Sequence, residues 1–362
     1  MKPKLSSTVS VVKLNDQVLE FFLTNIRQQV RIKVENDLIL EIVTSLDGSK
    51  TSEEIATEYN IDINELNRLF DFLHNKGILD NVEPKDDFEK YEKYRRVIHF
   101  LAEYSHSHEH LCTMWKNIRK STVLIIGLGA VGSWVACNLA QSGVGKLILM
   151  DADTVDLTNL HRQFGYVESD IGRSKIDVLK DRINKFDQDI EIIKEYSFLD
   201  ETALHVFDEI PVDLIINCAD KPTVDATSLW VGEYAMQRGI PHIIGGGYNL
   251  HLSLIGQTVI PGESACMKCF QKTLEEENKI DPQKVKKLSV KNRKVGSFGP
   301  MCSIIASMIG MEAIKVLTKE ITPSNLNRRG EFDIYSMDIK YKCYQRRGDC
   351  DWCGEHGKYY SS

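Results

Sequence analysis

Residues 121–151 constrain the fold of this chain more than any other stretch. An apolar run, STVLII (121–126), stops at Gly127. Gly129 and Gly132 then complete a G-x-G-x-x-G ahead of a helical pattern that runs through Ala140. A buried strand, a glycine turn and a helix in that order permit a tight turn and close backbone approach, so the helix N-terminus can meet phosphate. A second apolar run, KLILM (146–150), ends at Asp151, 19 residues after Gly132. A carboxylate at that strand end can accept ribose hydroxyls. Together these features favour a bound nucleotide over an empty strand-to-helix turn, without separating a dinucleotide from a triphosphate.

More buried strands follow, VDLIINCAD (212–220) and PHIIGGG (241–247), with helical patterns between them. This alternation implies an α/β fold, a mostly parallel sheet with helices on its faces. Past Pro261 the periodicity weakens. Residues 271–297 are polar and charged and read as a long mobile connection, and MCSIIASMIGMEAIKVLT (301–318) reads as a helix. The connection carries Lys284, Lys286, Lys287, Lys291, Arg293 and Lys294. That cluster reads either as an exposed basic loop or as a flap closing on an acidic peptide or a triphosphate.

The residues after Asp151 narrow the choice of nucleotide. The chain runs DADTVDLTNLHRQ (151–163) and then DIGRSK (170–175). A dehydrogenase has no need of Asn159, Arg162 and Lys175 just beyond the ribose carboxylate. A triphosphate does, with two cations to neutralise charge and an amide to hold a phosphate or metal oxygen. Asp220, following LIINCA, is placed to bind Mg²⁺ beside those phosphates. Singly each of these reads as a surface ion-pair partner; at this joint spacing they read as a site.

Nine cysteines are too few for a disulfide scaffold, but four form two C-x-x-C pairs, Cys266/Cys269 and Cys350/Cys353. In a reducing compartment such pairs read as metal ligands before disulfides. Four thiolates leave no open coordination position, so a zinc ion there would staple the fold rather than activate water.

Residues 1–82 read as a separate winged-helix-like module. Val30, Ile32 and Val34 alternate as in a half-buried strand, and LILEIVTSLDG (38–48) reads as a short helix. Thr51/Glu54 have capping-box spacing, and Asp62 starts a helix that puts Leu66, Leu69, Phe70 and Leu73 on one face, before Gly77 ends it ahead of a terminal strand at Ile78-Leu79. Residues 83–110 read as a charged linker passing into a helix. Within it, His106, His108 and His110 read as a solvated tract or, alternatively, as metal ligands.

A net charge of −7 argues against a general nucleic-acid binder. No run of 18 apolar residues exists and the first residues lack an apolar segment, which reads as a cytoplasmic chain with no membrane span.

From about residue 91 to 355 the chain resembles the E1-like, ThiF/MoeB-type adenylating superfamily, through GLGAVG, DADTVDLTNLHRQ, DIGRSK, the CAD at 218–220 and the two C-x-x-C pairs. The resemblance implies a Rossmann-like adenylation domain over 111–362 with a four-cysteine zinc site. It implies that ATP is held by Gly127, Gly129, Gly132, Asp151, Asp153, Asn159, Arg162, Gln163 and Lys175. It also implies that Asp220 organises Mg²⁺, and that the chain is a homodimer. KYRR (93–96) resembles the family's Arg-Tyr-x-Arg element, with Lys93 in place of its first arginine. The match implies that Arg96 is an arginine finger reaching a partner subunit's nucleotide, so that Arg96, Arg162, Lys175 and Asp220 would carry catalysis.

Members that pass their acyl group to a thiol place a cysteine on the long connection. Here none lies between Phe270 and Met301, and Cys302 reads as a packed thiol. With the extra N-terminal module, this most resembles the branch of the superfamily that matures ribosomally made peptides, of the microcin C and pantocin A kind. There the exposed strand edge near Val30–Val34 and the Leu66–Leu73 helix would capture a leader peptide. The expected activity is ATP·Mg²⁺-dependent adenylation of a peptide carboxylate or C-terminal amide. A sulfur-carrier adenylyltransferase and a non-catalytic leader-binding partner are the alternatives.

Overall fold

Alternation of half-buried and exposed side chains marks the outer strands β1 (Val9–Asn15) and β3 (Gln28–Lys33), which flank the mostly buried β2 (Val18–Leu23) in an antiparallel sheet of order β1-β2-β3. The structure is a computed structural model that describes residues 2–6, 8–35, 37–79, 86–105, 107–245, 248–249, 252–279 and 296–359. The chain divides into two units, 1–112 and 113–362. In the first, the sheet is followed by α1 (Leu38–Thr44), α2 (Ser52–Glu58) and α3 (Ile63–Asn75). Thr51 and Glu54 form the expected reciprocal capping box, and the Asp62 side chain accepts from the amides of Asn64 and Glu65. Leu66, Phe70 and Leu73 enter a core with Leu19, Phe21, Ile42 and Ile55, while Leu69 is only partly buried at its margin. At the expected terminal strand, Ile78-Leu79, the described residues show an antiparallel bridge from Leu5 to Leu79 after Gly77 turns the chain out of α3 with φ +69°, and residues 80–85 lie outside the described residues.

The charged stretch, described from residue 86, forms a kinked 3-10 segment (Asp86–Tyr94), then α4 (Arg95–Ala102) and α5 (His108–Lys120). His108 and His110 lie on the first turn of α5, and His106 lies outside the described residues.

The second unit alternates as its apolar runs require, with β4 (Thr122–Ile126), α6 (Gly132–Gln141), β5 (Lys146–Met150), α7 (Lys175–Phe186) and β6 (Glu191–Glu195). Then come β7 (Leu214–Asn217), α8 (Val224–Arg238), β8 (His242–Ile244), the two-residue β9 (Tyr248–Asn249), β10 (Leu252–Val259), α9 (Met267–Asn278), α10 (Gly299–Thr318), β11 (Arg328–Asp333) and β12 (Asp338–Cys343). The sheet order is β12-β11-β10-β8-β7-β4-β5-β6, with β9 on β10. The block β8-β7-β4-β5-β6 is parallel, and β10, β11 and β12 extend it antiparallel. From β4 the chain winds outward through β5 to β6, then returns to β7 on the other side of β4. That reversal opens a crevice at the carboxyl ends of β4 and β7.

The polar connection is partly helical, since α9 runs through Asn278. Residues 280–295, with the basic cluster from Lys284 to Lys294, lie outside the described residues. Among the described residues one helix, α10, is long and apolar enough to cross a membrane by length and composition. It packs against α6 and β10, and Met301, Cys302, Ile305 and Ile309 are buried, so it serves as a core helix of the second unit.

Candidate nucleotide site and cysteine cluster

Backbone constraints fix the turn after β4. Gly127 has φ +83°, and a Cβ there would lie 2.9 Å from the Ala219 amide nitrogen. A Cβ on Gly132 would lie 1.9 Å from the Gly127 carbonyl oxygen, so no other residue fits the first position of α6. The Tyr166 hydroxyl donates to the Leu128 carbonyl at 2.8 Å, and the Ser133 hydroxyl to the Gly129 carbonyl at 2.7 Å. Burial, with the Asp151 carboxylate nearby, holds the Tyr166 phenol well above its usual range, so it acts there as a permanent donor.

In front of this turn lies a cavity of about 860 Å³. It brings together Gly127, Gly129, Asp151, Asp153, Asn159, Arg162, Gln163, Lys175 and Asp220; Gly132 is the one expected glycine that shapes the turn from behind without lining the cavity. Asp151 is 8% exposed. One of its carboxylate oxygens accepts from the Leu128 amide at 2.6 Å and the other from the Asp153 amide at 2.7 Å. Each keeps a lone-pair direction for a hydroxyl of a ligand.

The two expected cations differ in kind. Lys175 is buried at the start of α7, with Nζ 3.0 Å from Asp153 Oδ2. The Arg162 guanidinium donates to the Thr158 carbonyl at 2.7 Å and pairs with no carboxylate among the described residues, which leaves most of its donor fork for an anion. Asn159 spends its carbonyl oxygen on the Asp156 amide at 3.2 Å, so its NH₂ is the group left for the cavity. Gln163 is 4% exposed, and its Oε1 is buried with no partner. An orphaned amide in a cavity wall is what a polar ligand would satisfy.

Across the cavity, Asp220 is exposed on the turn after β7. Asn217 anchors that turn, its Oδ1 accepting from the Ala219 amide at 3.1 Å and its Nδ2 donating to Thr227 Oγ1 at 3.3 Å. An exposed carboxylate in a cavity wall suits Mg²⁺, which takes one or two carboxylates and completes its shell with ligand oxygens and water. Burial pushes the Cys218 thiol on the same turn up to about 12, so it is inert. The cavity is also lined by Ser197, Phe198, Leu199, Lys221 and Pro222. Sequence reasoning missed Ser197, Phe198 and Leu199, because the segment after β6 carries no glycine turn or charge pattern to mark it, and it stopped at Asp220 on the turn after β7, one residue short of Lys221 and Pro222.

The four cysteines of the two C-x-x-C pairs are buried, and their sulfurs lie within 4.8 Å of one another. Cys266 sits 3.5 Å from Cys350, and Cys269 sits 3.3 Å from Cys353. Cys266 caps α9, and the second pair lies on a turn whose Arg347 amide points at Cys269 Sγ from 3.5 Å. Zinc–sulfur bonds of about 2.3 Å put tetrahedral sulfurs about 3.8 Å apart, so the cluster fits a structural zinc ion.

Two other expectations fall elsewhere. Arg96 is exposed in the first turn of α4, within the first unit. Cys302 is fully buried, and burial raises its thiol against the opposing pull of Ser297 and Arg162, so it is the packed thiol expected.

Comparison with known proteins agrees with this geometry. The Escherichia coli sulfur carrier protein ThiS adenylyltransferase is 30% identical over 235 residues, covering 65% of this chain and 86% of the relative. A crystal structure of E. coli MccB with AMPCPP and selenomethionine MccA superposes with a TM-score of 0.75 at 22% identity, covering 98% of this chain and 100% of that one. PaaA superposes with a TM-score of 0.71 at 19% identity, covering 94% and 100%. The ThiF family model matches residues 103–352, which hold the glycine turn, the cation-bearing cavity and three of the four clustered cysteines, with Cys353 one residue beyond, and the chain therefore belongs to the ThiF family.

Proposed function

We propose that this E1-like adenylyltransferase activates a carboxylate or C-terminal amide of a ribosomally made precursor peptide. The observation that carries this reading is the sheet-and-three-helix unit ahead of the ThiF-family region, since the stretch shared with the ThiS adenylyltransferase covers only 65% of the chain. Among the described residues the outer edge of β3 pairs with no strand. Val30, Ile32 and Leu69 are half-buried at the margin of the core, which suits an extended leader added to the sheet. The whole-chain likeness to MccB supports the same assignment; one of its structures is described as a microcin C7 biosynthetic enzyme in complex with N-formylated MccA.

In the reaction, a carboxylate oxygen of the peptide attacks the α-phosphorus of ATP. The bond to the β-phosphate oxygen breaks, and acyl-AMP and pyrophosphate leave. With an amide, the nucleophile is nitrogen and a proton departs with the displacement. Asp151 would hold the ribose, the turn at Gly127–Gly132 and Asn159 the phosphates, and Arg162 and Lys175 the charge that builds on them. Mg²⁺ held at Asp220 would supply further charge neutralisation. Arg96 would reach the nucleotide of a second copy in a homodimer, and the cysteine cluster would hold structural zinc. ATP as co-substrate suits a cytoplasmic enzyme.

The 30% identity to the ThiS adenylyltransferase favours a second reading, in which the acyl substrate is a sulfur-carrier protein. Pyrophosphate release with ATP·Mg²⁺ separates the two, using short synthetic precursor peptides, MccA among them, against a ThiS-type carrier. Turnover of a peptide with none on the carrier is expected. Turnover of the carrier alone overturns the peptide assignment.

A further inference from the structure

The sheet of the first unit has two outer strands, and their charges differ. On β1 the cation, Lys13, is spent on carboxylates, 2.7 Å from Asp37 and 3.2 Å from Asp16. On β3, QQVRIK (28–33), two cations stand with no carboxylate in the strand, in a chain whose net charge is −7. Lys33 is exposed and forms no ion pair among the described residues. Glu35, the nearest acidic residue along the chain, lies beyond the end of the strand.

Register sorts the β3 side chains onto two faces. Val30 stands opposite Phe21 and Ile32 opposite Leu19, both core residues, while Arg31 stands opposite Glu20. Successive side chains of a strand alternate, so Val30 and Ile32 share the core face, and Gln29, Arg31 and Lys33 share the outer one. Glu20 is 8% exposed, and its Oε2 accepts from Arg31 Nε at 2.7 Å. The guanidinium is thereby held over the sheet, with both Nη groups unpartnered among the described residues.

A strand added to β3 meets these two rows in alternation. Half of its side chains face Val30 and Ile32, and the other half face Arg31 and Lys33. Opposite charges directly across a strand pair stabilise it, and like charges destabilise it. The same cations keep two β3 edges from pairing with each other, one of the ways in which proteins protect an edge. A strand of opposite sign is the one they admit.

We infer that the leader captured at β3 is acidic, with apolar and carboxylate side chains in alternation. This rests on the leader-capture reading and adds the chemistry of the captured segment.

The test measures binding to the full chain, wild type and Lys33→Glu, by fluorescence anisotropy. The probes are three fluorescein-labelled peptides of about eight residues that repeat Val-Glu, Val-Ser or Val-Lys. A cross-strand charge pair is worth roughly 1.4- to 5-fold in Kd, so two cations should make Val-Glu bind about 2- to 30-fold tighter than Val-Ser. Val-Lys should bind more weakly than either. Lys33→Glu should narrow that order and leave the ligand-free melting temperature unchanged. The preference should also shrink between about 0.1 M and about 1 M salt, as the Debye length falls from about 10 Å to about 3 Å. Equal affinity for the three peptides overturns the acidic assignment and leaves the leader reading intact. A Val-Glu preference that Lys33→Glu does not narrow also overturns it, by placing the charge contact elsewhere. Wild-type protein that binds none of the three overturns both.

Discussion

Lys175 Nζ lies 3.0 Å from Asp153 Oδ2, with the lysine side chain 6% exposed and the aspartate 38% exposed. The second cation of the cavity is therefore held in place before any ligand arrives, whereas Arg162 has no carboxylate among the described residues to orient it. A preorganised charge acts in the transition state without rearranging at the moment of reaction.

Lys175→Ala should therefore lower kcat for pyrophosphate release on the order of 10²- to 10³-fold, the range for removal of one preorganised charge-stabilising donor. Asp153→Asn keeps the lysine and loses only its anchor, and should cost less than about tenfold, the loss of an indirect, positioning contact. Steady-state kinetics on the two variants with ATP·Mg²⁺ and a turned-over peptide checks the order. Equal losses would mean that Asp153 contacts the nucleotide itself.

Asp151 and Arg162 should separate on stability. Both Asp151 oxygens accept backbone amides, from Leu128 and Asp153, so Asp151→Asn sets an NH₂ group against one of those donors. A buried donor left facing a donor costs about 1–3 kcal/mol. The ligand-free melting temperature should fall by several degrees, along with ATP binding. Arg162→Ala gives up only exposed contacts, to the Thr158 carbonyl and the adjacent His161 ring, and should lose ATP binding with an almost unchanged melt. Differential scanning fluorimetry with and without ATP·Mg²⁺ reads both quantities at once.

The cysteine cluster should stabilise the second unit without touching catalysis directly. The purified protein is expected to carry one zinc per chain by elemental analysis. Cys350→Ser should lose that zinc and lower the melting temperature, as should prolonged treatment with a strong chelator. An activity that falls at once on chelation, before the melt changes, would place the metal in the chemistry instead.

How much of this was legible in the sequence depends on how local each signal is. The glycine turn, the Asp151 strand end and the capping box at Thr51 are backbone rules with fixed spacing, and the structure shows each where the spacing puts it. The antiparallel extension β10-β11-β12 was not legible as such, because the pattern of a strand does not declare the direction of its neighbour, and β11 and β12 are rich in charged residues. Phe198 was equally silent. Its place in the cavity wall comes from the order β4-β5-β6, a tertiary fact, and in sequence it is one of thirteen phenylalanines. Asp153 was expected only as a ligand of the nucleotide, and its pairing with Lys175 shows a structural duty that spacing alone did not separate.

A buried histidine away from the site sets a pH limit. His242 on β8 is fully buried, and its Nε2 has no partner. Its Nδ1 lies 3.2 Å from the Ile240 carbonyl, which places the ring proton on Nδ1. Burial holds the imidazole down, to about 4, against 6.5 when free, so the folded chain keeps it neutral where the unfolded chain takes up a proton. Above pH 6.5 neither state is charged and the residue exerts no pH effect. As pH falls from 6.5 to 4, stability is lost progressively, up to on the order of 3 kcal/mol, and below pH 4 this loss grows no further. Urea midpoints at about pH 7 and about pH 5, on either side of the free imidazole value, should therefore differ more for wild type than for His242→Gln, which fills similar volume and does not titrate. If the two proteins lose stability in parallel between those pH values, the acid sensitivity lies in the carboxylates and His242 is protonated without cost.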